Sequence, residues 1–166
     1  MSAPHTQPAD QPAFPSTGTE LLPNELRAWM LWLAATSTVE QQLRSVVKET
    51  LGVSHDEFLI LCLLAEQPPG GLRMTHVAQL LGRPKTRLTY QIACLQHAGL
   101  VTRRSVRGDK RGVEVGLTEA ARERLRETSV LLARTVRQAL ADSMGPEQRA
   151  ALCALVPDLA KEPFAA

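Results

Sequence analysis

Apolar residues recur at helical spacing through most of this chain, and one interval past its middle alternates instead. Val39, Leu43, Val46 and Val47 share a stripe while Gln41, Arg44 and Lys48 lie off it, which predicts a first helix from a cap at Asn24 to about Thr50. The earlier part of that helix, Trp29-Met30-Leu31-Trp32-Leu33, is apolar all round and so requires cover on several sides. In a chain this small the expected cover is a partner subunit. Ser54-x-x-Glu57 then has the spacing of a capping box, with Val53 and Phe58 placed as the hydrophobic staple around it. A helix from His55 to about Gln67 should follow, with Phe58, Leu61, Cys62 and Leu64 turned to the core, until Pro68-Pro69-Gly70-Gly71 stops it.

Two shorter helices come next. Thr75 is expected to cap the first, which ends at Leu81-Gly82, where a glycine suits a helix terminus. Pro84 suits the first turn of the second, which extends to about Ala98 and stops at Gly99. Two short helices joined by a tight glycine-containing turn form the helix-turn-helix pattern. Gly99 to Thr118, GLVTRRSVRGDKRGVEVGLT, then predicts a two-stranded hairpin. Val101, Val113, Val115 and Leu117 are its apolar members, and the segment Arg107-Gly108-Asp109-Lys110-Arg111-Gly112 carries the turn. Thr118 is placed to cap a long helix with Leu125, Leu132, Val136 and Leu140 on one stripe. Gly145-Pro146 separates it from a last helix bearing Leu152, Leu155, Val156 and Leu159, which Pro157 must kink or end. Residues 1–22 hold Pro4, Pro8, Pro12 and Pro15 without periodicity and are expected to form a disordered arm.

Charge sharpens this outline. The whole chain is only +2, yet from Arg73 to Gly112 nine Lys or Arg face a single acid, Asp109, while the remainder carries ten basic and sixteen acidic residues. A localised basic surface is the electrostatic footprint of a polyanion binder. Composition adds less: 166 residues poor in aromatics make one domain of ordinary size that leans towards helix. Cys62, Cys94 and Cys153 form neither a close-spaced ligand pair nor an even disulfide set, so a reducing, cytoplasmic home is expected. The densest apolar run, Ala28 to Ala35, is too short to span a bilayer, and residues 1–22 lack the apolar core of a signal peptide. No membrane partner is expected.

The candidate chemistry gathers on the helix after Pro84 and on the hairpin. Leu88, Ile92 and Leu95 must face the core, so the opposite face presents Arg83, Thr86 and Tyr90, with Arg87 and Thr89 at its flanks and Lys85 in the first turn. A recognition helix reads base edges with its N-terminal residues in the major groove. In that role Arg87 can pair with guanine, Thr86 and Thr89 can meet bases or phosphate, and Tyr90 can pack on sugar or a thymine methyl. Arg83 stands where a capping side chain is preferred, and the uncapped N–H groups behind it can donate to a DNA phosphate. On the hairpin, arginines suit the narrow minor groove of A·T-rich DNA, and Asp109 is placed to orient Arg111 by a charge-assisted bond or simply to form the turn. Arg103, Arg104, Arg107 and Lys110 fit phosphates, which give affinity without sequence choice. Enzymatic signals are missing: there is no Gly-rich phosphate loop, nucleophile elbow or His-x-x-x-His pair, and His5, His55, His76 and His97 are scattered. Neither catalysis, a cofactor nor a metal is expected.

Three stretches together, LGVSHDEFLILCLLAE, MTHVAQLLGRPKTRLTYQIACLQHAGLVTR and GDKRGVEVGLTEAARERL, resemble the MarR family of winged helix-turn-helix repressors in both pattern and order. The resemblance covers roughly Asn24 to Lys161. It implies a mainly α fold in which a winged helix-turn-helix domain is flanked by N- and C-terminal dimerisation helices. The corresponding division is an arm over 1–22, a first dimerisation helix over 23–52, a DNA-binding region over 53–118 and C-terminal dimerisation helices over 119–166. It further implies a homodimer on double-stranded DNA with a pseudo-palindromic operator, Arg111 as the minor-groove probe, and a small aromatic or phenolic effector. Trp29, Trp32 and His55 are the expected effector contacts. Two other readings stay open: a winged-helix module whose basic face meets an acidic protein, and a redox-sensing regulator whose reactive thiol is Cys94, turned outward beside His97.

Overall fold

The structure, a computed structural model, describes residues 21–67, 70–106 and 108–155. Its elements are α1 (Asn24–Leu51), α2 (His55–Ala65), β1 (Leu72–Arg73), α3 (Met74–Leu80), α4 (Lys85–His97), β2 (Val101–Val106), β3 (Asp109–Leu117), α5 (Glu119–Ser143) and α6 (Pro146–Leu155). This is the mainly helical winged helix-turn-helix architecture that the family resemblance implies, with helices where the hydrophobic pattern places them. The expected arm over 1–22 falls, up to residue 20, outside the described residues, as do Val156, Pro157 and Leu159. No described helix is long and apolar enough to cross a membrane.

The chain divides into two compact units, one spanning Leu43–Ala133 and the other formed, within the described residues, by 21–42 and 134–155. In the first, the winged unit, α2 begins as its sequence dictates. Glu57 N–H donates to the Ser54 hydroxyl at 3.2 Å and Ser54 N–H donates to the Glu57 carboxylate at 2.8 Å, closing the capping box. Val53 and Phe58 on either side are buried. The helix stops at Ala65, earlier than Gln67, because a residue before proline is driven out of helical geometry and Pro68 follows.

An unexpected strand changes two features here. The expected hairpin of β2 and β3 forms, but β1 joins it to make a three-stranded antiparallel sheet of order β1-β3-β2, with Leu72 opposite Val115 and Arg73 opposite Glu114. Since β1 delivers the chain extended into α3, the helix starts at Met74 with Arg73 at its cap and no capping side chain. Thr75 therefore sits inside the first turn rather than capping it. Two residues of strand leave no periodic trace in a sequence. Gly71 makes this edge possible: its φ is +87°, and a Cβ there would fall onto the Val115 carbonyl.

The turn also differs from the expected one. β3 already begins at Asp109, Gly108 supplies the positive φ of 81°, and Gly112 lies within the strand. Pairing slips between Ser105, opposite Val113, and Val106, opposite Asp109, so the wing end is irregular. A Cβ on Gly112 would stand 2.7 Å from the Asp109 carboxylate and 2.9 Å from Val106 Cβ. Close approach, not turn geometry, explains this glycine. Thr118 behaves as expected: Ala121 N–H donates to its hydroxyl at 3.1 Å, while the hydroxyl donates to the Gly99 carbonyl at 2.8 Å and ties α5 to the end of α4.

In the second unit, Ala35, Leu140 and Met144 form a small core, with Val39 and Val136 packed against it. Gln42 donates to Asp142 at 3.1 Å beside it. α1 starts with Pro23 in the capping position that the sequence pattern allots to Asn24, since the Pro23 carbonyl accepts from Arg27 N–H at 3.2 Å. Leu26, Trp29, Met30, Trp32 and Leu33 are all exposed on α1. The cover that their apolarity requires is not supplied within the described chain.

Candidate nucleic-acid interface

Helix α4 is held by three fully buried side chains, Leu88, Ile92 and Leu95, and this fixes what it shows on the other side. Lys85, Thr86, Arg87, Thr89 and Tyr90 are exposed there, with Tyr90 71% exposed. The Thr89 hydroxyl donates to the Lys85 carbonyl at 2.8 Å, so its oxygen is left to accept. The helix begins one residue later than expected, with Pro84 at the cap and no side-chain capping bond. Its first N–H groups point along the axis towards whatever anion meets that end. The hydrogen bond to Cys94 and then the Cys94 charge push the Tyr90 phenol above its ordinary pKa.

Arg83 departs from the wheel. The outward face is its expected place, but its side chain is only 13% exposed and turns back to α2. Because Pro84 is still extended, Arg83 belongs to the connection before the helix and need not continue the helical wheel. Its Nη2 donates to Asp56 Oδ1 at 2.7 Å, and its Nη1 donates to the Asp56 carbonyl at 2.9 Å and to Gln91 Oε1 at 3.3 Å. Gln91 is buried, so this bond satisfies a polar group that would otherwise be costly. Arg87 Nη2 pairs with the other Asp56 oxygen while its side chain stays 62% exposed. Asp56 is thus a central residue of the surface that the sequence reading missed. The one signal was a second acid in the first turn of α2, beside a Glu57 that already completes the capping box.

On the wing, Arg103 and Arg104 are exposed, and neither makes an ion pair among the described residues. As neighbours on β2 they address opposite faces of the sheet. Asp109 accepts from Arg73 Nη1 at 3.1 Å, a partner from β1 that sequence spacing did not suggest. The expected Asp109–Arg111 bond lies outside the described residues, as do Arg107 and the side chains of Lys110 and Arg111.

The expected effector residues fall in both units. Trp29 and Trp32 are 60% and 47% exposed on α1, and His55 is half-buried at the start of α2. A cleft of about 50 Å³ within the winged unit, between Arg104, Glu114 and Arg122, has room for little more than a few waters. Burial pushes the Cys62 thiol up to about 11, with the Glu66 charge adding to the shift. Cys94 is half-buried and free, and Cys153 has no described side chain. No group of three His, Cys, Asp or Glu able to hold a metal occurs among the described residues.

The MarR family profile matches residues 51–112, the segment from the end of α1 through α4 to the wing. Among solved structures, the chain is similar to Sco3205 of Streptomyces coelicolor, a MarR family transcriptional regulator in complex with DNA. Identity is 32%, 86% of this chain and 94% of that one are covered, and the TM-score is 0.68. AbsC of the same organism, also a MarR family transcriptional regulator, shares 27% identity over 87% of this chain and 97% of its own, at a TM-score of 0.67. A mutant of E. coli MarR complexed with operator DNA shares the fold at 20% identity and a TM-score of 0.64, covering 85% and 99% of the two chains. Among curated proteins none matches the sequence.

Proposed function

This chain belongs to the MarR family and is a DNA-binding transcription regulator, and from that premise we propose that it acts as a homodimeric repressor on a pseudo-palindromic operator. The observation that carries the reading is α4 itself. Its apolar side is locked by Leu88, Ile92 and Leu95. Its polar side offers Lys85, Thr86, Arg87, Thr89 and Tyr90 at the width and chemistry of a major-groove probe. The wing, with Arg103, Arg104, Arg107, Lys110 and Arg111, reaches the flanking minor groove and its phosphates. Asp109 holds the wing rather than touching DNA, and Arg83 serves α4 from behind. In the solved relative, Sco3205, the protein is in complex with DNA.

The exposed apolar face of α1, Leu26 to Leu33, finds its cover in the second protomer. A two-fold dimer then sets two α4 helices about one DNA turn, roughly 34 Å, apart. The test is binding to the region upstream of the protein's own gene against unrelated DNA, across a salt series. A specific regulator keeps a large preference as salt rises, whereas a generic polyanion binder loses all binding together. Sedimentation should find a dimer at micromolar concentration; a stable folded monomer there overturns the two-fold arrangement.

Trp29, Trp32 and His55 are proposed to contact a small aromatic or phenolic effector that favours the DNA-incompetent state. A panel of aromatic carboxylates and phenols should perturb indole emission and release operator in parallel. Compounds that release operator without changing emission, in wild type and in Trp29→Phe and Trp32→Phe alike, place the effector elsewhere.

A further inference from the structure

We propose that Asp56, at the start of α2, is a positioning residue that determines how selectively α4 reads DNA. The inference rests on the regulator reading above. Arg87 and Gln91 are spaced by four and share one side of α4, and Arg83, in the connection just before the helix, reaches the same side through its bonds to Gln91 and Asp56. There a single carboxylate receives two guanidinium groups, one on each oxygen. The two arginines are not equivalent. Arg83 is nearly buried and is fixed further by the Asp56 carbonyl and by Gln91, so it pins the carboxylate in place. Arg87 is mostly exposed and held at one nitrogen only, which leaves its remaining N–H donors to face outward from a fixed position.

Two physical consequences follow. A guanidinium tethered at one end loses the freedom to swing to the nearest phosphate, and its planar fork is presented in one orientation, the condition for bidentate contact with guanine. The carboxylate also cancels one positive charge at the head of the recognition helix. That lowers the sequence-independent attraction to any DNA backbone. Asp56 therefore weakens generic binding and sharpens specific binding at once.

The test uses duplexes selected by the wild-type protein from a random-sequence pool, with an unselected duplex as reference. Wild type, Asp56→Asn, Arg87→Ala and the double variant are compared over a salt series. Asp56→Asn keeps the shape and an acceptor for Arg83. It should tighten binding to the unselected duplex, steepen the salt dependence by about one counterion, and lower the ratio of selected to unselected affinity. In the Arg87→Ala background the same change should leave that ratio unmoved. An unchanged ratio in the single variant, or an effect that persists without Arg87, overturns the inference, because the second outcome means Asp56 acts on the fold through Arg83. If Asp56→Asn melts below the assay temperature, Arg87→Lys reads the coupling from the other side. Lysine keeps the charge but not the planar fork, so the ratio should fall while the salt slope holds. A ratio equal to wild type overturns the proposal. A wild type for which no preferred duplex can be selected overturns the regulator reading itself, whereas a selective wild type with an indifferent Asp56→Asn overturns this inference alone.

Discussion

Helix α4 and the β2–β3 wing carry the same kind of charge on very different foundations. α4 rests on Leu88, Ile92 and Leu95, all fully buried, and its Arg87 converges with Arg83, from the connection before it, on one carboxylate of α2. The wing is buried at its base, through Val101 and Val115, and towards its far end Arg73 pairs with Asp109 at the surface. Exposed ion pairs contribute little to stability. The difference teaches that one cationic surface combines a preorganised element with an adaptable one. Fixed donors suit base edges, where a misplaced hydrogen bond is lost, while mobile cations suit phosphates, which repeat along the backbone.

The comparison can be broken most directly at its apolar side. Ile92→Ala removes a side chain with no exposed surface and should cost about 2–5 kcal/mol of stability, read by urea denaturation. If α4 is the anchored element, specific binding should collapse with it. A loss under about 1 kcal/mol would mean that the helix sits less firmly than its burial indicates.

Gly112→Ala strikes the wing instead. The added Cβ meets Asp109 and Val106 at under 3 Å, and overpacking of this kind costs about 1–3 kcal/mol. Its effect should appear as weaker DNA binding with α4 selectivity intact, because only the wing is displaced. Equal damage to selectivity would join the two regions into one cooperative reader.

Three cations sharpen the contrast at the level of single contacts. Arg111→Ala should relax preference at the A·T-rich flanks, and Arg87→Ala should change preference inside each half-site, by about 1–3 kcal/mol per lost base contact. Lys110→Ala should weaken all DNA about equally and lessen the salt slope. Indistinguishable profiles for the three variants would erase the division between base and phosphate readers.

The smallest expected effect concerns Cys62, which is half-buried on α2 rather than in the core where its spacing places it. Its thiol is raised from 9.0 to about 11, so the folded protein keeps a proton that the unfolded chain gives up. Stability from this group is full below pH 9.0 and is lost as pH climbs towards about 11. Cys62→Ala should show a shallower decline in unfolding midpoint over that window. An identical decline would assign the alkaline loss to other groups.

Much of this protein is local in origin and was therefore legible in the chain. The capping box at Ser54 and Glu57, the glycine after α4, the Thr118 cap and the 88-92-95 stripe all act through neighbours within a few residues, so spacing alone reveals them. The cationic stretch from Arg73 to Gly112 is likewise a property of composition. What spacing cannot show is a partner far away in sequence. β1 is two residues long and exists because Val115 and Glu114 lie opposite it. Gly112 is required by the approach of Val106 and Asp109, not by a turn. Asp56 meets Arg83 and Arg87 across 27 and 31 residues of chain, and Asp109 meets Arg73 across 36. The sequence by itself determined where α2 and α5 start and which face of α4 is apolar, since those depend on caps and periods a few residues long. Only the tertiary structure decided which cations are held and which stand free to meet DNA, because a charge is tied down by whatever carboxylate the fold brings within reach.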